Sequence, residues 1–166
     1  MESNFNYKNF SIVIPIYNEE EIIEESTNAI FAICKRTGID FEIIFSENGS
    51  TDRTKKIAEE LIKKYTEIKI ISNPEPNYGN ALKAGFGLAK NDLVISFDID
   101  YYSESFLHEA LILDKKYSAI TASKRLQSSE DGRRFVRKLA TNFFVILLKT
   151  LFGTKLSDTH GMKAVK

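Results

Sequence analysis

The sequence has 166 residues, of which 43% are hydrophobic and 28% charged, and its formal net charge is zero. This size and composition fit one globular α/β-sized domain with a substantial core. Cys34 is the only cysteine, which excludes an internal disulfide framework and a thiolate metal cage and favours a reducing compartment. No apolar run is as long as a membrane span, and the first residues lack the pattern of a signal peptide.

The charge is distributed unevenly along the chain. Residues 124–166 carry ten Lys or Arg and three Asp or Glu, whereas residues 1–123 carry thirteen and twenty. The basic segment predicts an anionic partner, such as phosphate groups, a membrane surface or nucleic acid. A solvated basic helix without a partner is the alternative.

Apolar runs alternate with helical patterns through the first two thirds of the chain. The predicted strands cover residues 11–17, 41–45, 68–71 and 93–97. The first helix is expected to open at residues 19–21 and to end at Gly38, and Ser50 or Thr51 is expected to cap the second. A third helix is predicted over residues 81–89. This alternation predicts right-handed βαβ units, and therefore an α/β fold with a mainly parallel central sheet and helices on both faces.

The pattern is less regular after residue 100. It predicts a helix over residues 106–113, a strand over 117–122, a loop over 123–132 and a helix over 135–152. The last helix contains six consecutive apolar residues, 143–148, which must face a core, a partner chain or a lipid surface. We therefore divide the chain into an α/β core, residues 1–123, and a basic, partly apolar segment, residues 124–166.

Asp98 and Asp100 follow the most apolar of the predicted strands. Alternation along an extended chain places both carboxylates on the same side. Because two carboxylates this close repel each other, the pair indicates a cation between them. Mg²⁺ is usually bound by one or two carboxylates together with substrate phosphates, so the pair predicts a site for a metal and a phosphorylated ligand. A strand end followed by a polar turn is the alternative.

Two further polar clusters follow the first and second strands, at residues 17–19 and 47–52. The carboxyl ends of parallel strands form one edge of the sheet, where ligands of open α/β folds bind. We therefore expect all three clusters to lie on that edge. Acidic side chains of the first two could accept hydrogen bonds from a nucleobase or a ribose, while Asp98 and Asp100 hold the metal and a diphosphate.

Taken together, the motifs resemble those of glycosyltransferase family 2, and most closely its branch of dolichol-phosphate mannose synthases and polyprenyl-phosphate glycosyltransferases. In chain order they are Pro-Ile-Tyr-Asn-Glu at 15–19, Glu-Asn-Gly-Ser-Thr-Asp at 47–52, Asn-Tyr-Gly at 77–79 with Ala-Gly at 84–85, Asp-Ile-Asp at 98–100, Ser-Lys-Arg at 123–125, and Leu-Ser-Asp-Thr-His-Gly-Met-Lys at 156–163. The chain departs from the family pattern in Glu47-Asn48, where Asp-Asp is usual. It also has Tyr102 where the branch has a glutamine that serves the metal.

The resemblance implies a GT-A type, Rossmann-like fold and a metal cofactor, Mg²⁺ or Mn²⁺. It implies transfer of a sugar from a GDP- or UDP-linked donor to an acceptor, such as a polyprenyl (dolichyl-type) phosphate. Asp98 and Asp100 would hold the metal and, with Arg125, form the catalytic set. The implied donor-binding residues are Pro15, Tyr17, Asn18, Glu19, Glu47, Asn48 and Asp98. The acceptor phosphate would be held by Arg125, Arg134 and Arg137.

The resemblance also implies where the chain acts. We expect a cytoplasmic protein in peripheral contact with the cytoplasmic membrane face, a homo-oligomer or a membrane partner subunit, and no nucleic acid. The family continues beyond the position of Lys166, so the acceptor side is expected to be incomplete. A non-catalytic nucleotide-sugar-binding remnant, or a subunit of a larger glycosyltransferase assembly, is therefore the alternative function.

Two other interpretations rank behind these. Residues 97–100 could form a dehalogenase-type phosphatase motif with Asp98 as the nucleophile, but Tyr102 does not fit that motif. Gly85 and Gly87 could form a dinucleotide loop, but they are predicted inside a helix rather than between a strand and a helix.

Overall fold

The structure is a computed structural model that describes residues 5–114, 116–122 and 162–166. The chain divides into two compact units, Met1–Ile120 with Met162–Lys166, and Thr121–Gly161. Apart from residues 121 and 122, the second unit lies outside the described residues, and so do the predicted loop at 123–132 and helix at 135–152. The last five residues, which the sequence analysis grouped with the basic segment, belong to the first unit.

Strands and helices alternate as the sequence predicts. The described strands are β1 (Asn9–Ile16), β2 (Asp40–Glu47), β3 (Ile68–Ser72), β4 (Val94–Ser96), β5 (Ala119–Thr121) and β6 (Lys163–Val165). The described helices are α1 (Ile23–Arg36), α2 (Thr54–Lys64), α3 (Tyr78–Leu88) and α4 (Glu104–Leu111).

The six strands form one sheet in the order β3-β2-β1-β4-β6-β5. β1 pairs in parallel with β2 and β4, β2 pairs in parallel with β3, and β6 runs antiparallel to β4. The chain thus builds outward from β1 to β3 and then returns to the other side of β1. This reversal between β1 and β4 is the switch point at which ligands of open α/β sheets bind.

The direction of each crossover places the helices. A right-handed crossover from β1 to β2 and another from β2 to β3 put α1 and α2 on one face, where they pack on each other. The crossover from β3 to β4 runs the opposite way across the sheet, so α3 covers the other face and packs on β1 and β2. The prediction of a mainly parallel sheet with helices on both faces is therefore confirmed.

β1 lies at the centre of the core. Phe10, Ile12, Val13 and Ile14 are fully buried, as expected for a parallel strand that is covered on both faces. α3 approaches this strand closely at Gly85, where a Cβ atom would lie 2.3 Å from Cγ1 of Val13. Because Gly85 has no side chain, α3 can pack close to β1, the strand that precedes the cluster at residues 17–19.

At the amino edge of the sheet, the carboxylate of the buried Glu42 is paired with other groups of the protein. Glu42 accepts hydrogen bonds from the Ser11 hydroxyl at 2.7 Å, the Lys90 backbone N–H at 2.8 Å and the Lys69 ammonium at 2.5 Å. Burial alone raises the pKa of Glu42, but the hydrogen bonds from Lys69, Lys90 and Ser11 outweigh it, and the pKa lies below its usual value. This carboxylate is therefore satisfied within the fold.

Three details of the sequence prediction were wrong. α1 begins at Ile23, because the residues expected to open it form a separate turn that bonds to the loop after β2. Neither Ser50 nor Thr51 caps α2, and the N–H of Thr54 bonds instead to the Asp52 carboxylate at 2.9 Å. α3 begins at Tyr78, three residues earlier than predicted, because the side chain of Asn77 accepts a hydrogen bond from Asn80 N.

We predict that Gly85→Ala destabilises the protein by about 1–3 kcal/mol, the usual cost of overpacking a core. Val13 is β-branched and fully buried, so its methyl group cannot rotate away from the added Cβ at low cost. The free energy of unfolding in urea measures the effect.

Gly87→Ala is the matched control on the same helix. A Cβ atom at Gly87 meets nothing within 4 Å, so the better helix propensity of alanine should leave stability unchanged or raise it by up to about 1 kcal/mol. Equal stability of Gly85→Ala and the wild type would show that α3 does not pack on β1 as described.

Candidate functional site

The loops that follow β1 and β2 are hydrogen-bonded to each other at the carboxyl edge. The backbone N–H of Asn18 donates to the Ser50 hydroxyl at 3.1 Å, and the Asn18 carboxamide oxygen accepts from Thr51 N at 2.8 Å. Asn18 has a φ of 55°, in the left-handed region that asparagine tolerates better than most residues. Asn18 therefore joins the two loops while turning the chain out of β1.

Further bonds between these loops hold two acidic residues in place. Glu19 N donates to the Thr54 hydroxyl at 2.7 Å, and Glu20 N donates to the Asp52 carboxylate at 3.2 Å. The Glu20 carboxylate in turn pairs with the guanidinium of Arg53 at 3.0 Å. The backbones beside Glu19 and Asp52 are thus fixed relative to each other.

Asp98 and Asp100 lie in a tight turn after β4. Asp98 and Tyr101 exchange both backbone hydrogen bonds, at 3.2 and 3.0 Å, so that Ile99 and Asp100 form the tip. Ile99 is buried, Asp98 is half-buried and Asp100 is exposed. The two aspartates thus lie in a turn rather than in the extended chain from which their common side was predicted, and that common side stays a prediction. The side chain of Asp98 also accepts a hydrogen bond from the hydroxyl of Tyr78 at 3.0 Å.

The pKa of Glu19 indicates that the three loops lie close together. Its pKa is raised by partial burial and then, in decreasing order, by the negative charges of Asp100, Asp52 and Asp98. Asp98 and Asp100 follow β4 and Asp52 follows β2, whereas Glu19 follows β1. The structure therefore brings acids from all three predicted clusters together beside the switch point.

The donor atoms at this position suit a hard divalent cation. Asp98, Asp100 and Glu19 offer carboxylate oxygens, and among the described residues no Lys or Arg forms an ion pair with any of them. Within the same residues no group of three or more His, Cys, Asp or Glu side chains is arranged to hold a metal. A metal bound here would therefore take at most two carboxylates from these residues and would need further ligands, such as the phosphates of a bound molecule.

The other donor-binding residues predicted from sequence lie at the same edge. Tyr17 is 42% exposed, and Pro15 is half-buried at the end of β1. Glu47 is only 2% exposed, and its Oε1 accepts a hydrogen bond from Ser50 N at 2.6 Å. Asn48 is also buried, and its carboxamide oxygen accepts from the backbone N–H of Asn77. The structure thus gives Glu47 and Asn48 loop-holding contacts, while their predicted contact with a nucleotide stays a prediction.

Sequence reasoning missed the contacts that four residues make at this site. Ser50, Asp52 and Thr54 hold the loop after β1, and Tyr78 contacts Asp98. The first three belong to a run rich in Ser, Thr and Asp, a composition that marks backbone-bonding turns. Tyr78 lies in the Asn-Tyr-Gly motif at 77–79, but nothing in the sequence indicates its contact with Asp98.

A cleft of about 390 Å³ lies between α1 and the turn after β4. Its described lining consists of Ile22, Glu25, Ser26, Ala29, Asp100, Tyr101 and Tyr102. Two carboxylates and no basic side chain among these residues disfavour an anionic ligand. Tyr102, which replaces the glutamine expected from the resemblance, faces this cleft together with Asp100.

The predicted acceptor residues Arg125, Arg134 and Arg137 lie outside the described residues, and so does the apolar run at 143–148. For the membrane prediction, the structure therefore offers evidence only from the residues that it describes. Of the helices that the structure describes, none has the length and apolar character needed to cross a bilayer.

The model of a protein family described as Glycosyl transferase family 2 matches residues 11–166. The chain belongs to glycosyl transferase family 2. The resemblance stated from the sequence motifs is thus confirmed.

Curated relatives match almost the whole length of this chain. The undecaprenyl-phosphate 4-deoxy-4-formamido-L-arabinose transferase of Pectobacterium atrosepticum is 38% identical over 156 residues, which are 91% of this chain and 46% of that protein. An uncharacterized glycosyltransferase of Synechocystis is 30% identical over 157 residues, 91% of this chain and 48% of that protein. The chain therefore spans about half the length of these relatives.

Solved structures of glycosyltransferases share the fold. Mannosyl-3-phosphoglycerate synthase from Rubrobacter xylanophilus superposes with a TM-score of 0.70 at 20% identity, over 95% of this chain and 53% of that chain. A mannosyltransferase from Pyrobaculum calidifontis, in complex with GDP-Man and Mn²⁺, superposes with a TM-score of 0.62 at 18% identity, over 95% and 44%. At these identities the likeness shows the fold alone, and it confirms the GT-A type α/β architecture of this family 2 chain.

The raised pKa of Glu19 leads to a prediction about stability and pH. The folded protein binds the Glu19 proton more tightly than the unfolded chain does, so the resulting stabilisation is present below the unfolded pKa of ~4.3. It is lost as the pH rises through the raised folded pKa. Without a divalent cation, Glu19→Gln should therefore increase the free energy of unfolding at pH 7, by at most about 1 kcal/mol because water screens the site.

The difference between Glu19→Gln and the wild type should disappear at pH ~3, where Glu19 is largely protonated in both states. Glu21→Gln is the control, because Glu21 is exposed and the substitution removes the same formal charge from the same loop. Urea unfolding over this pH range measures both variants. A loss of stability in Glu19→Gln at pH 7 would mean that Glu19 does not face Asp98 and Asp100.

Proposed function

We propose that this chain is the donor-binding part of a glycosyltransferase that moves a sugar from a nucleoside diphosphate sugar to a polyprenyl phosphate. The observation that carries the proposal is the convergence of Glu19, Asp52, Asp98 and Asp100 beside the switch point between β1 and β4. Among the described residues no Lys or Arg forms an ion pair with these carboxylates, which favours a ligand that brings its own cation, as a metal-bound diphosphate does.

The names of the relatives support the acceptor class. Several proteins that match this chain, including the one from Pectobacterium atrosepticum, are undecaprenyl-phosphate sugar transferases. For the donor, we propose a GDP- or UDP-linked sugar. A similar solved structure was determined with GDP-Man and another with UDP, and the contacts of this chain favour neither base.

The two hydrogen-bonded loops would bind the nucleoside. Tyr17 offers an exposed ring at the end of β1, and Asn18 and Glu19 present polar groups on a backbone that Ser50 and Thr54 hold rigid. A rigid loop loses little entropy on binding, so such groups contribute most of their interaction energy to affinity. Pro15, Glu47 and Asn48 would act through the shape of the same loops.

Asp98 and Asp100 would hold Mg²⁺ or Mn²⁺, which when bound neutralises the charge that develops on the departing diphosphate. The attacking group would be an oxygen of the lipid phosphate. It forms a bond to the anomeric carbon of the sugar as the bond from that carbon to the diphosphate oxygen breaks. A phosphate monoester with a second pKa near ~6 is largely ionised at neutral pH, so the reaction needs no strong general base.

The acceptor would be bound by the basic segment. Guanidinium groups bind phosphate oxygens through paired hydrogen bonds, which is the role proposed for Arg125, Arg134 and Arg137. The same positive charge beside the apolar run at 143–148 would bring the protein to the anionic cytoplasmic face of the membrane. A second copy of the chain or a membrane partner subunit could complete the acceptor side.

We predict that Asp98→Asn and Asp100→Asn each weaken divalent-dependent binding of GDP or UDP by at least tenfold. Each substitution removes half of the carboxylate charge that these two residues offer the metal. The affinity of the wild type and of both variants for the nucleotides, measured calorimetrically with and without Mn²⁺, tests the prediction. Asp92→Asn is the control, since Asp92 is exposed before β4 at the opposite edge of the sheet.

Equal nucleotide affinity in the wild type and in both variants would overturn the metal site. Transfer of labelled sugar from the donor to a polyprenyl phosphate in detergent separates the proposed enzyme from the alternative. If the chain binds the metal and nucleotide but a protein containing it transfers no sugar, the non-catalytic binding function is the correct one.

A further inference from the structure

Tyr78 connects the start of α3 to the metal-binding turn. Its hydroxyl donates a 3.0 Å hydrogen bond to Oδ1 of Asp98, although the residues are twenty positions apart in the sequence. The Tyr78 side chain is otherwise unusually exposed for a large aromatic residue, at 51%. An exposed tyrosine that contacts an acidic side chain, rather than the core, indicates a role at the site rather than in packing.

The backbone around Tyr78 is held in place from the end of β2. The buried Asn48 accepts a hydrogen bond from the N–H of Asn77 at 2.7 Å. The side chain of Asn77 then accepts from Asn80 N at 2.9 Å and caps the helix that Tyr78 begins. The backbone that carries the phenol is therefore held by contacts that do not involve Asp98.

Asp98 is consequently restrained in two ways. Its backbone is paired with Tyr101 in the turn, and its carboxylate is held by Tyr78. The ordinary pKa of a phenol is ~10, so the Tyr78 hydroxyl is protonated and can donate at neutral pH. By contrast, none of the described residues donates a hydrogen bond to the side chain of Asp100.

We propose that Tyr78 is a positioning residue for metal binding, whose hydroxyl holds one oxygen of Asp98 so that the carboxylate is already oriented when a divalent cation binds. The inference rests on the proposed function, in which Asp98 is a metal ligand. Hydrogen-bond partners of metal ligands fix the orientation of the ligand, and their loss typically lowers metal affinity by about 10–100-fold.

The test compares Tyr78→Phe with the wild type. Phenylalanine keeps the ring and removes only the hydroxyl, so the fold should be retained and Tm should be unchanged. We expect Mn²⁺-dependent binding of GDP or UDP to weaken by about 10–100-fold. Binding of guanosine or uridine without metal should not change. Electron paramagnetic resonance of free Mn²⁺ gives the metal affinity independently of any sugar transfer.

Two controls separate positioning from a general effect of the substitution. Tyr117→Phe removes a hydroxyl from a tyrosine of matched exposure, 52%, that lies beyond α4, and it should leave Mn²⁺ affinity unchanged. In the Asp98→Asn background, Tyr78→Phe should add no further loss, because the carboxylate that it orients is gone.

The outcomes distinguish this inference from the proposed function. If the wild type binds nucleotide with Mn²⁺ and Tyr78→Phe binds equally well or more tightly, the positioning role is overturned and the metal site stands. An additional loss of Mn²⁺ affinity in the Asp98→Asn background would also overturn it, since Tyr78 would then act through another group. If the wild type shows no dependence on Mn²⁺, both proposals are overturned.

Discussion

Electrostatic repulsion among the carboxylates at the carboxyl edge is the constraint on which the site depends. Folding brings Glu19 close enough to Asp98 and Asp100 for their charges to raise its pKa. Such an arrangement persists only because other interactions hold the loops together. Hydrogen bonds from Asn18 and Glu19 to the loop after β2 supply that restraint, and they leave the carboxylate of Glu19 itself without a cation among the described residues.

Acidic side chains at the two edges of the same sheet have opposite surroundings. At the amino edge, Glu42 is neutralised by Lys69 and by hydrogen bonds from Ser11 and Lys90, and its pKa is lowered. At the carboxyl edge, partial burial and the negative charges of Asp100, Asp52 and Asp98 raise the pKa of Glu19. The first arrangement stabilises the fold, whereas the second costs stability until a cation binds. This difference locates the functional edge independently of the family assignment.

Much of this could be predicted from the sequence, because the relevant patterns are local. Apolar runs at 11–17 and 93–97 identified the strands at the centre of the sheet, and polar residues directly after them identified the functional edge. The loop contacts could not be predicted in the same way. Glu20 and Asp52 are joined across 32 positions and Glu19 and Thr54 across 35, and only the parallel pairing of β1 with β2 brings them together.

The errors have related causes. β6 was not predicted, because residues 163–165 contain no apolar run like the one at 93–97, and the buried Ala164 becomes part of the core only through antiparallel pairing with β4. Tyr78 was left outside the helix predicted over residues 81–89, because its neighbours Asn77 and Gly79 favour turns. The cap formed by Asn77 instead starts α3 there and aims the tyrosine at Asp98.

The central claim is that three loops, distant in sequence, form one binding site for a metal and a nucleotide. Paramagnetic broadening of backbone amide signals by Mn²⁺, added together with GDP or UDP, tests it most directly. The account predicts that signals of residues 18–20, 50–54 and 98–101 broaden together, while those of Ser11, Glu42 and Asn91 at the amino edge stay sharp. Broadening at the amino edge, or at only one of the three loops, would contradict it.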